Sequence, residues 1–153
     1  MNQFLLRLRI LNTILENKIS VLNQILNITE NQQTVLSAGS SDEMIMDLYS
    51  GMVDEKQKLI DTINESDKVF EKTFKEISPD FETEAPKHAG LVARMQDGIK
   101  RATALDVRIR VQESRNNAAR RTIVKVKDNK STRKHVTRIY EKNKYLLAKQ
   151  PPG

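Results

Sequence analysis

The chain contains no cysteine, and only 5 glycines and 4 prolines punctuate its 153 residues. Without thiols there is no disulfide framework, no thiolate metal site and no cysteine nucleophile, and a reducing compartment is the expected setting. With so little glycine and proline, turns must be few and the elements between them long. Long apolar runs are also missing. The opening stretch MNQFLLRLRILNTIL is broken by Arg7 and Arg9, so no signal-peptide core is expected. No run approaches the length of a transmembrane helix, and the expected location is the cytoplasm. There is no glycine-rich phosphate loop, no nucleophile elbow and no serine, histidine and acid set, so neither enzymatic activity nor a cofactor is expected. His88 and His135 have no carboxylate at ligand spacing beside them, which predicts solvated histidines and no metal site.

What is present is charge and periodicity. Hydrophobic residues make up 38% and charged residues 30%, a balance that suits an elongated helical bundle with much surface for its interior. The net charge of +6 hides a division. Residues 1–85 hold 8 Lys and Arg against 15 Asp and Glu, a net −7, whereas residues 86–153 hold 18 against 5, a net +13. Helices of opposite sign attract when packed side by side, and the surplus positive charge must face something acidic or water.

Apolar residues recur at helical spacing in three stretches. Residues 2–37 carry Phe4, Leu8, Leu11, Leu15, Leu22 and Ile25 in a 4-3 series that only Lys18 interrupts, with Ile10, Ile14, Val21 and Ile28 widening the stripe. The polar run Asn31, Gln32, Gln33, Thr34 predicts loose packing towards the end of that helix. Gly39 then offers a left-handed helix end, and Ser40 with Glu43 has capping-box spacing for the next helix. Residues 42–77 place Ile45, Leu48, Tyr49, Met52, Leu59, Ile63, Phe70, Phe74 and Ile77 on one side, with Gly51 a weak point. Two helices of equal length joined tightly should pack antiparallel and leave a groove for a third.

Residues 78–88, SPDFETEAPKH, have two prolines and no periodicity and read as an irregular connection, from which Phe81 is expected to tuck back against the bundle end. The third helix, residues 88–127, keeps Leu91, Met95, Ile99, Ala102, Leu105, Ile109, Gln112, Asn116, Ala119, Ile123 and Val126 in register. The phase slips near residues 128–131, where a break is expected. A short basic amphipathic helix over residues 132–148 would then carry Val136, Ile139, Tyr140, Leu146 and Leu147. The predicted fold is all-α: an elongated antiparallel three-helix bundle or coiled coil over residues 1–127, with a short basic C-terminal amphipathic helix and tail over 128–153.

Two features stand out from the core pattern. Arg120, Arg121, Lys125, Lys127, Lys130, Arg133, Lys134 and Arg138 form a basic patch dense enough to bind phosphate backbones by counterion release. The only aromatics there, Tyr140 and Tyr145, fall in the amphipathic segment instead of forming a stacking platform. The same charges serve equally as a solvated face opposite the acidic second helix, or as part of a partner-binding helix. On the third helix, Gln112 and Asn116 occupy core positions, where buried amides either set register or mark a locally open bundle. Met44, Met46, Met52 and Met95 read as core fillers.

The acidic, lysine-containing second helix (MVDEKQKLIDTINESDKVFEK), the stretch LDVRIRVQESRNN and the basic end RIYEKNKY together resemble the bacterial flagellar export chaperones of the FlgN and FliT type. Glu55, Lys56, Leu59 and Ile60 match that family's E-K-x-x-L-I character, and Glu113 with Asn116 its E-x-x-N element. The resemblance implies a cytoplasmic, non-enzymatic chaperone or adaptor. Its protein partners would be a late export substrate, such as a hook-filament junction or filament-cap protein, and a component of the type III export gate. It implies capture of an amphipathic terminal helix of the substrate in a groove. Leu105, Ile109, Asn116 and Ile123 of the third helix, and Val136, Ile139 and Tyr140 beyond it, would meet the partner. Tyr140 or Tyr145 would be the gate-contacting tyrosine. The alternatives are a basic helical nucleic-acid-binding protein and a structural coiled-coil homo-oligomer, so that monomer and homodimer both stay open.

Overall fold

Asn2 starts the first helix by capping it: its side-chain Oδ1 accepts hydrogen bonds from the backbone N–H of Phe4 at 2.9 Å and of Leu5 at 3.4 Å. In the computed structural model, which describes residues 2–38 and 43–126, helix α1 spans Gln3–Ser37 and α2 spans Glu43–Ile77. Glu43 in the first turn of α2 and Lys75 in the last both suit the helix dipole. A 3-10 turn over Ser78–Asp80, the short helix α3 over Phe81–Glu84 and a second 3-10 turn over Ala85–His88 lead into α4, Ala89–Val126. Among the described residues there is no strand, and the protein is all-α.

The stretch over residues 78–88 is therefore not the irregular connection that its sequence suggests. Pro79 and Pro86 each sit in the first positions of a 3-10 turn, where the missing N–H has no intrahelical partner to lose. They start helical turns and do not interrupt them.

The described chain falls into two compact units. Among the described residues, unit 1 comprises 2–23 and 60–105, and unit 2 comprises 24–38, 43–59 and 106–126. In unit 1, α2 runs antiparallel to α1, as the ion pairs Arg7 to Glu76 and Lys18 to Asp67 show, each at 2.8 Å. The first part of α4 runs parallel to α1: Asn12 donates to the carbonyl of Leu91 at 3.1 Å, and Arg94 pairs with Glu16. Gly98 leaves room for the side chain of Leu15 to lie directly on the α4 backbone.

The interior of unit 1 is almost wholly apolar. Phe4, Leu8, Leu11, Leu15, Ile77, Val92 and Met95 form one cluster, against which Phe70, Phe74, Phe81, Ala85 and Leu91 pack. Phe81 does fold back, with its ring centroid 6.1 Å from Phe4 and 6.2 Å from Phe74. Lys18 lies one position off the buried seam, which Ile19 occupies. His88 is not the solvated residue expected, because its ring stacks on Phe4 at 5.8 Å.

Unit 2 is built from the second part of α1, the first part of α2 and the second part of α4. Its α1 stretch is not loosely packed as the polar run implied: Gln32 is fully buried and Leu36 nearly so. On α2 the buried seam is Met46, Tyr49, Val53 and Lys56, while Leu48 is more than half exposed. Of the stripe expected from the sequence, Tyr49, Ile63 and Ile77 are buried and Phe70 and Phe74 pack on the core, whereas Ile45, Met52 and Leu59 are only half-buried and Leu48 is exposed, because the seam of unit 2 runs through Met46 and Val53. Lys56 lies on that seam, a cation placed where the repeat calls for an apolar side chain.

Candidate functional site

The two units differ in what they bury. Among the described residues, unit 1 buries twelve apolar side chains and one polar one, Asn12. Unit 2 buries seven apolar ones, Ile25, Leu26, Leu36, Met46, Tyr49, Val53 and Ile109, and nine polar ones. Groups of the second kind are rarely fully buried unless paired, so such a concentration is the feature of the molecule that calls for a function.

Lys56 of α2 and Glu113 of α4 form the centre of that interior. Nζ of Lys56 donates to Oε1 of Glu113, and the two side chains are 0% and 2% exposed. Thr29 of α1 stands 3.4 Å from the same carboxyl oxygen while its hydroxyl donates to the carbonyl of Ile25 at 2.7 Å. Asn116 donates through Nδ2 to the backbone carbonyl of Thr29 at 2.9 Å. Gln112 donates through Nε2 both to Oδ1 of Asn116 at 3.1 Å and to Oε1 of Gln33 at 2.7 Å. Arg120 lies in the same interior, 1% exposed, and donates to Oδ1 of Asn117 at 2.6 Å. Of the two sequence readings of Gln112 and Asn116, the buried and hydrogen-bonded one holds.

Burial holds the Lys56 ammonium below the usual lysine value of 10.5; the Glu113 carboxyl pulls the other way, and Arg120 adds to the lowering. Gln32 has neither amide atom hydrogen-bonded among the described residues, although it is fully buried. Oε2 of Glu113 is in the same position. The network is therefore only partly satisfied, and each orphan group favours states in which water reaches it.

The residues expected to meet a partner are distributed as follows. Leu105 is buried in unit 1, and Ile109 and Asn116 are buried in unit 2. Arg121 is exposed, but Arg120 is inside and does not offer its guanidinium to a phosphate backbone, which corrects its place in the basic patch. Ile123 and Lys125 lie on α4 with side chains outside the described set. Val136, Ile139, Tyr140, Tyr145, Lys127, Lys130, Arg133, Lys134 and Arg138 lie outside the described residues, as do the expected break, the basic helix and the Gly39 turn.

Sequence reasoning placed Lys56 and Glu113 in family motifs and left Thr29 and Gln32 out of any site. A signal for Lys56 was available: it continues the spacing of Met46, Tyr49 and Val53 towards Ile60 and Ile63. Outside the interior, Met44 with Leu48 on α2 and Val107 with Val111 on α4 leave apolar side chains exposed four residues apart. Met46 and Met95 are core fillers as expected, whereas Met44 is 76% exposed. Among the described residues no helix is long and apolar enough to cross a membrane.

Compared with known proteins, the chain matches no family model, no curated protein and no solved structure.

Proposed function

We propose that the protein is a non-enzymatic helical chaperone or adaptor that binds an amphipathic helix of a flagellar export substrate in the cytoplasm and delivers it to the type III export apparatus. The observation that supports this most is the mixed interior of unit 2, where seven apolar residues are buried together with nine polar ones. An interior of that kind discriminates among helices, because a partner must match its polar positions as well as its apolar ones. The exposed pairs Met44 with Leu48 and Val107 with Val111 have the spacing by which helices dock in grooves. Of the six residues that carry the family resemblance, Lys56 on one side and Glu113 and Asn116 on the other belong to this interior, whereas Glu55 is exposed and Leu59 and Ile60 are half-buried.

The test is calorimetric titration of the full chain with peptides from the terminal helices of hook-filament junction and cap proteins, at low and high salt, with duplex DNA as the competing arm. One peptide is expected to bind with a negative heat-capacity change and little salt dependence. Failure of every such peptide, together with DNA binding that falls steeply with salt, overturns the proposal.

A further inference from the structure

Helix α4 changes character along its length. In unit 1 it is held by Val92, Met95, Ala102 and Leu105, with Gly98 in close contact with Leu15. In unit 2, Ile109 is its last buried apolar residue among those described. Beyond it the buried side chains are Gln112, Glu113, Asn116, Asn117 and Arg120. Apolar burial stabilises the closed state without any matching gain on opening. Buried ions and amides regain their hydration when they open, so their net contribution to closure is small. The Lys56 to Glu113 pair is the extreme case, since both members leave water almost completely.

We propose that residues 106–121 of α4 open from the α1 and α2 stretches of unit 2 as a local cooperative unit, with the Lys56 to Glu113 pair as the latch, while unit 1 stays closed. This goes beyond the functional reading and needs no partner to be tested. Closure requires the ammonium and the carboxyl group to find each other, because either one enclosed alone is strongly unfavourable. Opening requires little, because both are well solvated outside. The unbonded amide of Gln32 and the second carboxyl oxygen of Glu113 lower the barrier to opening further, by favouring entry of water. The result is a molecule with one firm unit and one that opens while the chain as a whole remains folded.

Site-resolved amide hydrogen exchange on the full chain tests this. In the wild type, residues 106–121 are expected to show protection about tenfold or more below that of residues 89–105. In the double variant Lys56→Met with Glu113→Leu, exchange of 106–121 should slow by about tenfold or more while that of 89–105 stays within about twofold. Glu113→Leu alone should hasten exchange of 106–121 by at least about tenfold, because it strands the lysine. Uniform protection along α4 in the wild type overturns local opening, and that profile requires no variant to fold. A double variant that leaves exchange of 106–121 unchanged, hastens it, or fails to fold overturns the role of the pair as latch.

Discussion

In the interior of unit 2 the ammonium of Lys56 donates to the carboxyl group of Glu113, 57 residues away in the chain, with neither side chain in contact with water. Such a pair adds little net stability, but closure in a register that separated the two would enclose an unpaired charge.

Removal of one member should be far more damaging than its net worth implies. Lys56→Met encloses an unpaired carboxyl group and is expected to lower the stability of unit 2 by about 3 to 5 kcal/mol, read as a shift in the urea midpoint of a probe placed in that unit. A loss below about 1 kcal/mol would show that the pair is solvated in the native protein.

Gln32 points to the opposite experiment. Its amide is buried without a hydrogen bond among the described residues, so Gln32→Leu, of similar volume, should raise stability by about 1 to 3 kcal/mol. A decrease in thermal midpoint would mean that the amide is satisfied in solution.

The regular apolar series of α1 was legible because every member of it, Phe4, Leu8, Leu11, Leu15, Leu22 and Ile25, is buried as its spacing required. The seam of α2 was legible only in part: Tyr49, Ile63 and Ile77 are buried as expected, but Met46 and Val53 take the places given to Ile45 and Met52. Lys18 and Lys56 look alike in sequence, each a cation within an apolar series, yet Lys18 lies beside the seam and reaches Asp67 whereas Lys56 lies on it. What separates them is the partner at residue 113, and no local pattern carries a contact of that range. The two prolines of residues 78–88 misled for a different reason: proline stops a helix from within but also starts one, and here it does the latter.

Unit 1 should respond to truncation as an apolar core does. Phe4 is 5% exposed and touches the rings of Phe81 and His88, so Phe4→Ala is expected to lower stability by about 3 to 5 kcal/mol in chemical denaturation. A loss below about 1 kcal/mol would contradict the aromatic packing at this end.

Glycines inside the helices offer a paired comparison. A Cβ at Gly51 meets nothing within 4 Å, so Gly51→Ala should raise stability by about 0.8 to 1 kcal/mol through helix propensity alone. At Gly98 the added carbon would lie 3.2 Å from Cδ1 and 3.3 Å from Cβ of Leu15, and the repacking of that side chain should offset the gain. Equal increases in thermal midpoint for the two variants would show that Leu15 does not lie against α4.

The most direct measurement is a nitrogen-detected NMR titration of the lysine side chains in the full chain. Lys56 is expected to give an Nζ signal with a through-space contact to Glu113 and to lose its proton at a pH below the usual lysine value of 10.5, because burial disfavours the charge. A Lys56 signal that titrates together with the exposed lysines and shows no contact to Glu113 would contradict the buried pair, and with it the latch assigned to it.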